Sequence, residues 1–281
     1  MGTGMAKRLI EAGHVVTIYN RTISKTLELK KLGAILATSP AESAKNANVL
    51  ITMVKDDQAL EAMMWGAQGA IEALPKEAIH ISMSTISDEL AKKLTAAHEK
   101  TRTHHIGAPV FGRPPAAAEG KLFIVAGGET KILDACEPIF QVLGQKTIRM
   151  SDKPSIAHLT KIMGNFMLFS AIQSMAEAIA HVKAAGLDEK IFLEAMTSTI
   201  FTAPIYKNYG TMMVENNFTM PGAVSMGLAL KDVRLALQSS QAEKTVLPTA
   251  LLLQSHLSEG VSRGYGDHDV SSLSQLMRDI K

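Results

Sequence analysis

The chain has a single cysteine, Cys136. That excludes an internal disulfide framework and points to a reducing compartment. A surplus of charge is missing as well: 29 lysines and arginines stand against 27 aspartates and glutamates, a net charge of +2. This balance gives no reason to expect nucleic acid as a partner, whereas a small anionic ligand needs only a local basic site. No basic start leads into an unbroken apolar block, as a secretory signal requires, and no apolar run reaches the length that spans a bilayer. The start "MGTGMA" fails as a myristoylation site because Ala6 stands where Ser or Thr is needed. Internal repeats and low-complexity segments are absent too. The expectation is a cytoplasmic chain without a membrane partner. Its 281 residues, 46% of them hydrophobic, suggest two domains with a substantial core.

One further absence concerns the start of the chain. Gly2 and Gly4 open an amphipathic helix with Met5, Leu9 and Ile10 on one side and Lys7, Arg8 and Glu11 on the other. Gly13 stops it, and "VVTIY" (Val15 to Tyr19) follows as a strand. A glycine-tipped helix feeding a strand is the back part of a dinucleotide-binding βαβ unit. The front part, a strand ending in Gly-x-Gly, is expected before Gly2. Its absence is expected to weaken cofactor affinity, and a start placed too far downstream or a truncated chain accounts for it.

What is present alternates. Helices are expected near Ser24 to Leu32, from "SPAES" with Ser39 as cap and Pro40 in the first turn, from Asp56 to Trp65, over "TISDELAKKLTAAHEK", and from Glu129 to Leu143. Between them lie the strands "AIL", "NVLITMV", "AIHISMS", two near "THHIGAPV" and "KLFIVAGG", and "TIRM". This alternation implies a parallel sheet covered on both faces. After about Ser151 no strand is expected. Lys153 to Gly186 reads as one long helix, and four or five more follow. The expected architecture is an α/β domain over residues 1–151 and an all-α domain over 152–281, joined by the long helix.

The end of the second strand bears on cofactor choice. An NAD site carries an acid there, to hold the ribose 2′-hydroxyl. This chain carries Asn20, Arg21 and Thr22. Arg21 is suited to a 2′-phosphate, with Asn20 and Thr22 as donors, so NADP(H) is preferred and NAD(H) remains an option. A solvated loop is the other reading of Arg21. On the long helix Lys161 and Asn165 are four apart and share a face. A lysine in an apolar helical stretch is costly to bury without a partner or a task; the other reading is that it reaches solvent. "SMSTIS" ends a strand where open α/β sheets bind ligands, and its hydroxyls also suit a cap for the next helix.

Taken in order, "MGTGMA", "YNRT", "SPAES", "ISMSTIS", "GAPVFGRPPAAAEGKL", "HLTKIMGN" and "LALKDVRLAL" resemble the β-hydroxyacid dehydrogenase family. That family includes 3-hydroxyisobutyrate dehydrogenases and glyoxylate/succinic semialdehyde reductases, and the resemblance covers the whole chain. It implies a Rossmann-like first domain and a helical second domain of the 6-phosphogluconate dehydrogenase type. It aligns Gly2 with the third glycine of the fingerprint and Met1 with an internal methionine beside the cofactor. It implies Lys161 as catalytic acid/base with Asn165 beside it. Val54, Lys55, Thr85 and Lys231 are implied as cofactor contacts, and Ser84, next to Thr85, is placed with the substrate. Where the family often has Ser-Gly-Gly to clamp a substrate carboxylate, this chain has Phe111, Gly112 and Arg113. The hydroxyl is replaced by a bulky ring, and Arg113 offers a charge-assisted contact instead.

The expected activity is NADP(H)-dependent hydride transfer to or from a small 3-hydroxy or aldehyde acid, with no metal. Imine reduction and a non-catalytic cofactor-binding scaffold are the alternatives; Lys161 argues against the first, and Lys161 with Asn165 against the second. The apolar residues Ile162, Met163, Phe166, Met167, Leu168, Phe169, Ile172 and Met175 exceed what one helix face buries, so a homodimer or homotetramer is expected.

Overall fold

A computed structural model describes residues 1–219 and 222–279. The chain divides into two compact units, Met1–Lys161 and Ile162–Lys281.

The first unit opens with α1 (Gly2–Glu11), β1 (Thr17–Ile18), a 3-10 turn at Ile23–Thr26, α2 (Leu27–Lys31) and β2 (Ile35–Leu36). It continues with α3 (Pro40–Ala44), β3 (Val49–Thr52), α4 (Asp57–Trp65), β4 (Ile79–Ser82), α5 (Asp88–Thr101) and β5 (His104–Gly107). It ends with β6 (Val110–Phe111), α6 (Pro114–Ala118), β7 (Leu122–Gly127), α7 (Thr130–Leu143) and β8 (Gly144–Ser151), followed by the start of α8 (Pro154–Ala184). Local chemistry sets the helix starts. Ser39 accepts from the Glu42 N–H ahead of Pro40, Asp56 accepts from Ala59, and Ser87 accepts from Leu90. The cap of α5 is therefore Ser87, three positions beyond Ser84 and two beyond Thr85. Gly13 has φ 88°, the left-handed conformation that ends α1.

Strands β3, β4 and β5 pair in parallel, as expected. The all-parallel expectation fails at β7, which runs antiparallel to both β5 and β6, while β8 pairs β7 in parallel. The cause is the short link from Phe111 to Leu122, which holds only the five-residue α6; a parallel return needs a longer crossover. β1 and β2 form a separate parallel pair. Both faces of the larger sheet are covered. Ile81, Met83 and Ile106 pack with α1 and α7 (Met5, Leu9, Phe140, Leu143), and Leu60 and Met64 of α4 form a second core with Leu90 and Leu94 of α5.

In the second unit the rest of α8 is joined by α9 (Glu189–Thr197), α10 (Pro204–Val214), α11 (Met226–Ala242), α12 (Pro248–Gly260) and α13 (Leu273–Asp279). Phe169, Ile172, Ala176 and Ile179 of α8 pack against Met213, Val233, Leu253 and Leu257. This core absorbs most of the apolar surface expected to lie on an oligomer interface. Phe166 and Leu168 also pack on it, and Met163 packs with Ile162 and Leu235. Met167 alone of that set is largely exposed, at 69%.

A buried histidine group sits between the sheet and α5. Strand alternation turns His80 and its register partner His105 to that face. Thr52 meets His80 Nε2 at 2.9 Å, His80 Nδ1 meets His98 Nε2 at 2.8 Å, and His98 Nδ1 meets the Thr103 hydroxyl at 2.7 Å. His105 pairs with Thr95 at 2.9 Å. Burial disfavours the charged ring, so His80 and His105 lie well below the ordinary histidine value, with neighbouring histidines adding repulsion. Burial likewise takes His98 down to about 4 and His158, in the first turns of α8, to about 3.

A folded-state value below the unfolded one means that the unfolded chain binds protons first. The stability these rings contribute is full above about pH 6.5 and is lost as pH falls toward their folded values. The thermal midpoint should hold steady near pH 7 and fall between about pH 6 and 4, each histidine adding about 1.4 kcal/mol per pH unit. Thermal unfolding monitored by circular dichroism across that range checks this. His98→Gln should flatten the acid slope, and an unchanged slope would show that the ring does not titrate on unfolding.

Candidate active site

Two glycines set where α8 begins. Gly107 of β5 and Gly127 of β7 are register partners on adjacent strands. A Cβ on Gly107 would overlap the Pro154 carbonyl oxygen and come within 3.0 Å of His158 Cδ2. A Cβ on Gly127 would lie 2.7 Å from the Lys153 oxygen and 3.1 Å from Ala157 Cβ. Only a pair of residues without side chains lets the first turn of α8 rest on the strands. Lys161 follows two turns into that helix.

Lys161 is buried, with 8% of its surface exposed, and its Nζ lies 4.0 Å from the centroid of the Phe111 ring. Phe111 ends β6, paired with Phe123 of β7. Gly112 follows at φ 142°, a conformation that favours glycine, and an added Cβ would lie 2.7 Å from Leu122 Cδ2. Arg113 is the N-cap position of α6, whose first turn holds Pro114 and Pro115. Of the substrate-side residues expected from the sequence, Phe111 thus adjoins the expected catalytic lysine, and Gly112 and Arg113 follow it in the chain.

Of the expected cofactor residues, Met1 and Gly2 form the start of α1. Met1 is the N-cap position, and burial pushes its α-amino group below the ordinary value. The first turn of this ten-residue helix carries no acidic side chain, which suits its N–H groups to an anion. A Cβ on Gly2 would meet Met53 only at 3.9 Å, whereas one on Gly4 would lie 2.9 Å from Ala118 N. Gly4 therefore serves the close packing of α1 on α6. Beyond Met53, the Val54 N–H donates to the Ser84 hydroxyl at 2.7 Å. Ser84 is fully buried, and its hydroxyl ties the end of β3 to the end of β4. Thr85 is half-buried and Lys55 exposed. After β1, the Asn20 amide donates to the Thr22 carbonyl at 2.8 Å, which closes the loop and leaves Arg21 exposed at its tip. Thr22 opens the 3-10 turn without a side-chain cap. A helix start free of acids and an exposed arginine beyond β1 are donors of the kind that suit a dinucleotide phosphate.

In the second unit Asn165 is buried, at 6% exposure, and its amide donates to Asp232 Oδ2 at 2.6 Å. The other oxygen of Asp232 lies 2.8 Å from Lys231 Nζ. Lys231, expected at the cofactor, is here paired with the neighbouring acid. Asp232 was not singled out from the sequence. The signal that marks it is the one that marks Lys161: a charge inside an apolar helical stretch, "LALKDVRLAL", here 4% exposed.

Residues 1–151 match the NAD binding domain of 6-phosphogluconate dehydrogenase, and residues 156–277 match the NAD-binding domain of NADP-dependent 3-hydroxyisobutyrate dehydrogenase. The uncharacterized oxidoreductase YfjR of Bacillus subtilis (strain 168) is 38% identical, covering 99% of this chain and 96% of its own length. Glyoxylate/succinic semialdehyde reductase 1 of Arabidopsis thaliana is 28% identical, covering 99% of this chain and 95% of its own. In fold, the 3-hydroxyisobutyrate dehydrogenase of Mycobacterium tuberculosis, solved with L-serine, superposes with a TM-score of 0.89 at 23% identity over 99% of this chain and 96% of that one.

The glycine seat generates a test. Gly107→Ala forces the first turn of α8 away from the strand, and overpacking of this kind costs roughly 1–3 kcal/mol. Denaturant unfolding should report that loss, and turnover should fall with it because Lys161 moves with the helix. Wild-type stability in Gly107→Ala would show that the helix rests elsewhere.

Proposed function

The chain belongs to the β-hydroxyacid dehydrogenase family of NAD(P)-dependent oxidoreductases, and we propose that within it the protein is an NADP(H)-dependent reductase of small oxo or aldehyde acids, with Lys161 as general acid/base. The observation that carries this reading is the burial of Lys161 against Phe111 on a helix seated by two glycines. An ammonium withdrawn from solvent is suited to deliver a proton, and carbonyl reduction needs one delivered. A bound nicotinamide dinucleotide supplies the hydride. The carbonyl oxygen then becomes an alkoxide, and Lys161 stabilises that charge and delivers a proton to the oxygen. In the opposite direction a neutral Lys161 takes the alcohol proton. Asn165, one turn further along the same helix, orients the lysine or the substrate oxygen. The N–H groups at the start of α1 hold the pyrophosphate, with Met1 and Gly2 at the entrance, and Val54, Lys55 and Thr85 border the cofactor. Arg113 is the residue suited to a substrate carboxylate.

The relatives named above as glyoxylate/succinic semialdehyde reductase and 3-hydroxyisobutyrate dehydrogenase supply the first substrates to try. Self-association into a dimer or tetramer belongs to the same reading, with exposed Met167 as the residue of α8 left for a partner. A cytoplasmic location also belongs to it, supported by the lone Cys136, which is buried.

Lys161→Ala should lower kcat for NADPH-dependent reduction of glyoxylate or succinic semialdehyde by roughly a hundredfold to ten-thousandfold, while NADPH binding is retained. Steady-state kinetics alongside fluorescence titration of NADPH decides this; a variant that keeps most of its turnover removes the lysine from the chemistry.

Arg21→Ala addresses cofactor choice. A charge-assisted bond to the 2′-phosphate contributes roughly 1.5–3 kcal/mol, or about one to two decades in affinity. NADPH should lose that much and NADH almost nothing. Equal losses measured for the two cofactors would make Arg21 a support of its loop, and a wild-type preference for NADH would exclude the assignment.

A further inference from the structure

We propose that Phe111 is a positioning residue for the Lys161 ammonium, holding it by a cation–π contact where the resembled family carries a serine hydroxyl. The proposal rests on the reading of Lys161 as the acid/base and deepens it by naming what keeps that group in place. The separation of 4.0 Å between Nζ and ring centroid is well inside the range in which the ring quadrupole attracts a cation. Lys161 is almost entirely buried, so water screens the attraction weakly.

Both partners are fixed from below. The ring is carried by a residue paired to Phe123 in the sheet and followed by Gly112, whose conformation and lack of space leave the backbone little freedom. The lysine is carried by a helix whose first turn rests on Gly107 and Gly127. The contact is therefore preorganised rather than made by two mobile chains.

The test compares Phe111→Leu with Phe111→Tyr in the full chain, at saturating NADPH and with the better of glyoxylate and succinic semialdehyde. Leucine keeps an apolar side chain of similar reach and removes the quadrupole; tyrosine keeps both. Phe111→Leu should lose about two- to thirtyfold in kcat, with substrate KM changed less than kcat and NADPH affinity unchanged, and Phe111→Tyr should restore kcat to within about twofold. Wild-type kcat in Phe111→Leu, or an equal loss in both variants, overturns the proposal. A double-mutant cycle of thermal stability with Lys161→Met reads the contact without any substrate. Phe111→Leu should cost about 2–4 °C more when the lysine is present than when it is replaced. Additive effects overturn the contact. Turnover retained in Lys161→Met would instead remove the acid/base reading, and the cycle would still decide whether ring and ammonium interact.

Discussion

The arrangement of the first unit depends on the close approach of α8 to the strands at Gly107 and Gly127. These residues pair across β5 and β7, and each lies under a different part of the first turn of the helix: Pro154 and His158 over one, Lys153 and Ala157 over the other. A side chain at either position has nowhere to go. The helix start is thereby fixed to the sheet, and Lys161 takes its place beside Phe111 because the helix carries it there. The antiparallel entry of β7 is part of the same constraint. It brings Gly127 next to Gly107 and supplies the partner strand for β6, which presents the ring.

The charged groups are treated in contrasting ways. Lys161 is held against an aromatic face, and Asp232 accepts from the Asn165 amide and pairs with the Lys231 ammonium. The histidines between sheet and α5 are kept neutral by burial and are bridged to threonines and to one another. Neutral hydrogen-bonded rings fill polar space in the interior of an α/β sheet without a buried charge to compensate. The start of α1 carries no acidic side chain in its first turn, and the arginine beyond β1 stays in solvent.

Glycine performs three separable tasks here. At Gly13 it ends a helix through a left-handed conformation. At Gly112 it combines such a conformation with lack of room. At Gly4, Gly107 and Gly127 it lets one backbone approach another. Gly4 is instructive because it stands in the motif that reads as a phosphate site, yet its own neighbours are Ala117 and Ala118 of α6.

Short-range patterns were legible in the sequence because they report on short-range physics. Alternation of apolar runs located the strands and helices, Ser39 and Asp56 marked helix starts through bonds three residues long, and ordered motifs identified the family. Lys161 and Asn165 stood out because buried polar groups in an apolar helix need a reason. What the sequence left open joins positions far apart in the chain. The pairing of Phe111 with Lys161, of Asn165 with Asp232 and of Gly107 with Gly127, and the reversal of β7, depend on strand register and helix seating. The same limit hid the task of Ser84, whose partner Val54 lies on another strand end, and the fate of the apolar surplus on α8, which the core of the second unit absorbs. A residue's type and near neighbours determine which contacts it is capable of making. Only the folded chain decides which distant group arrives to make them.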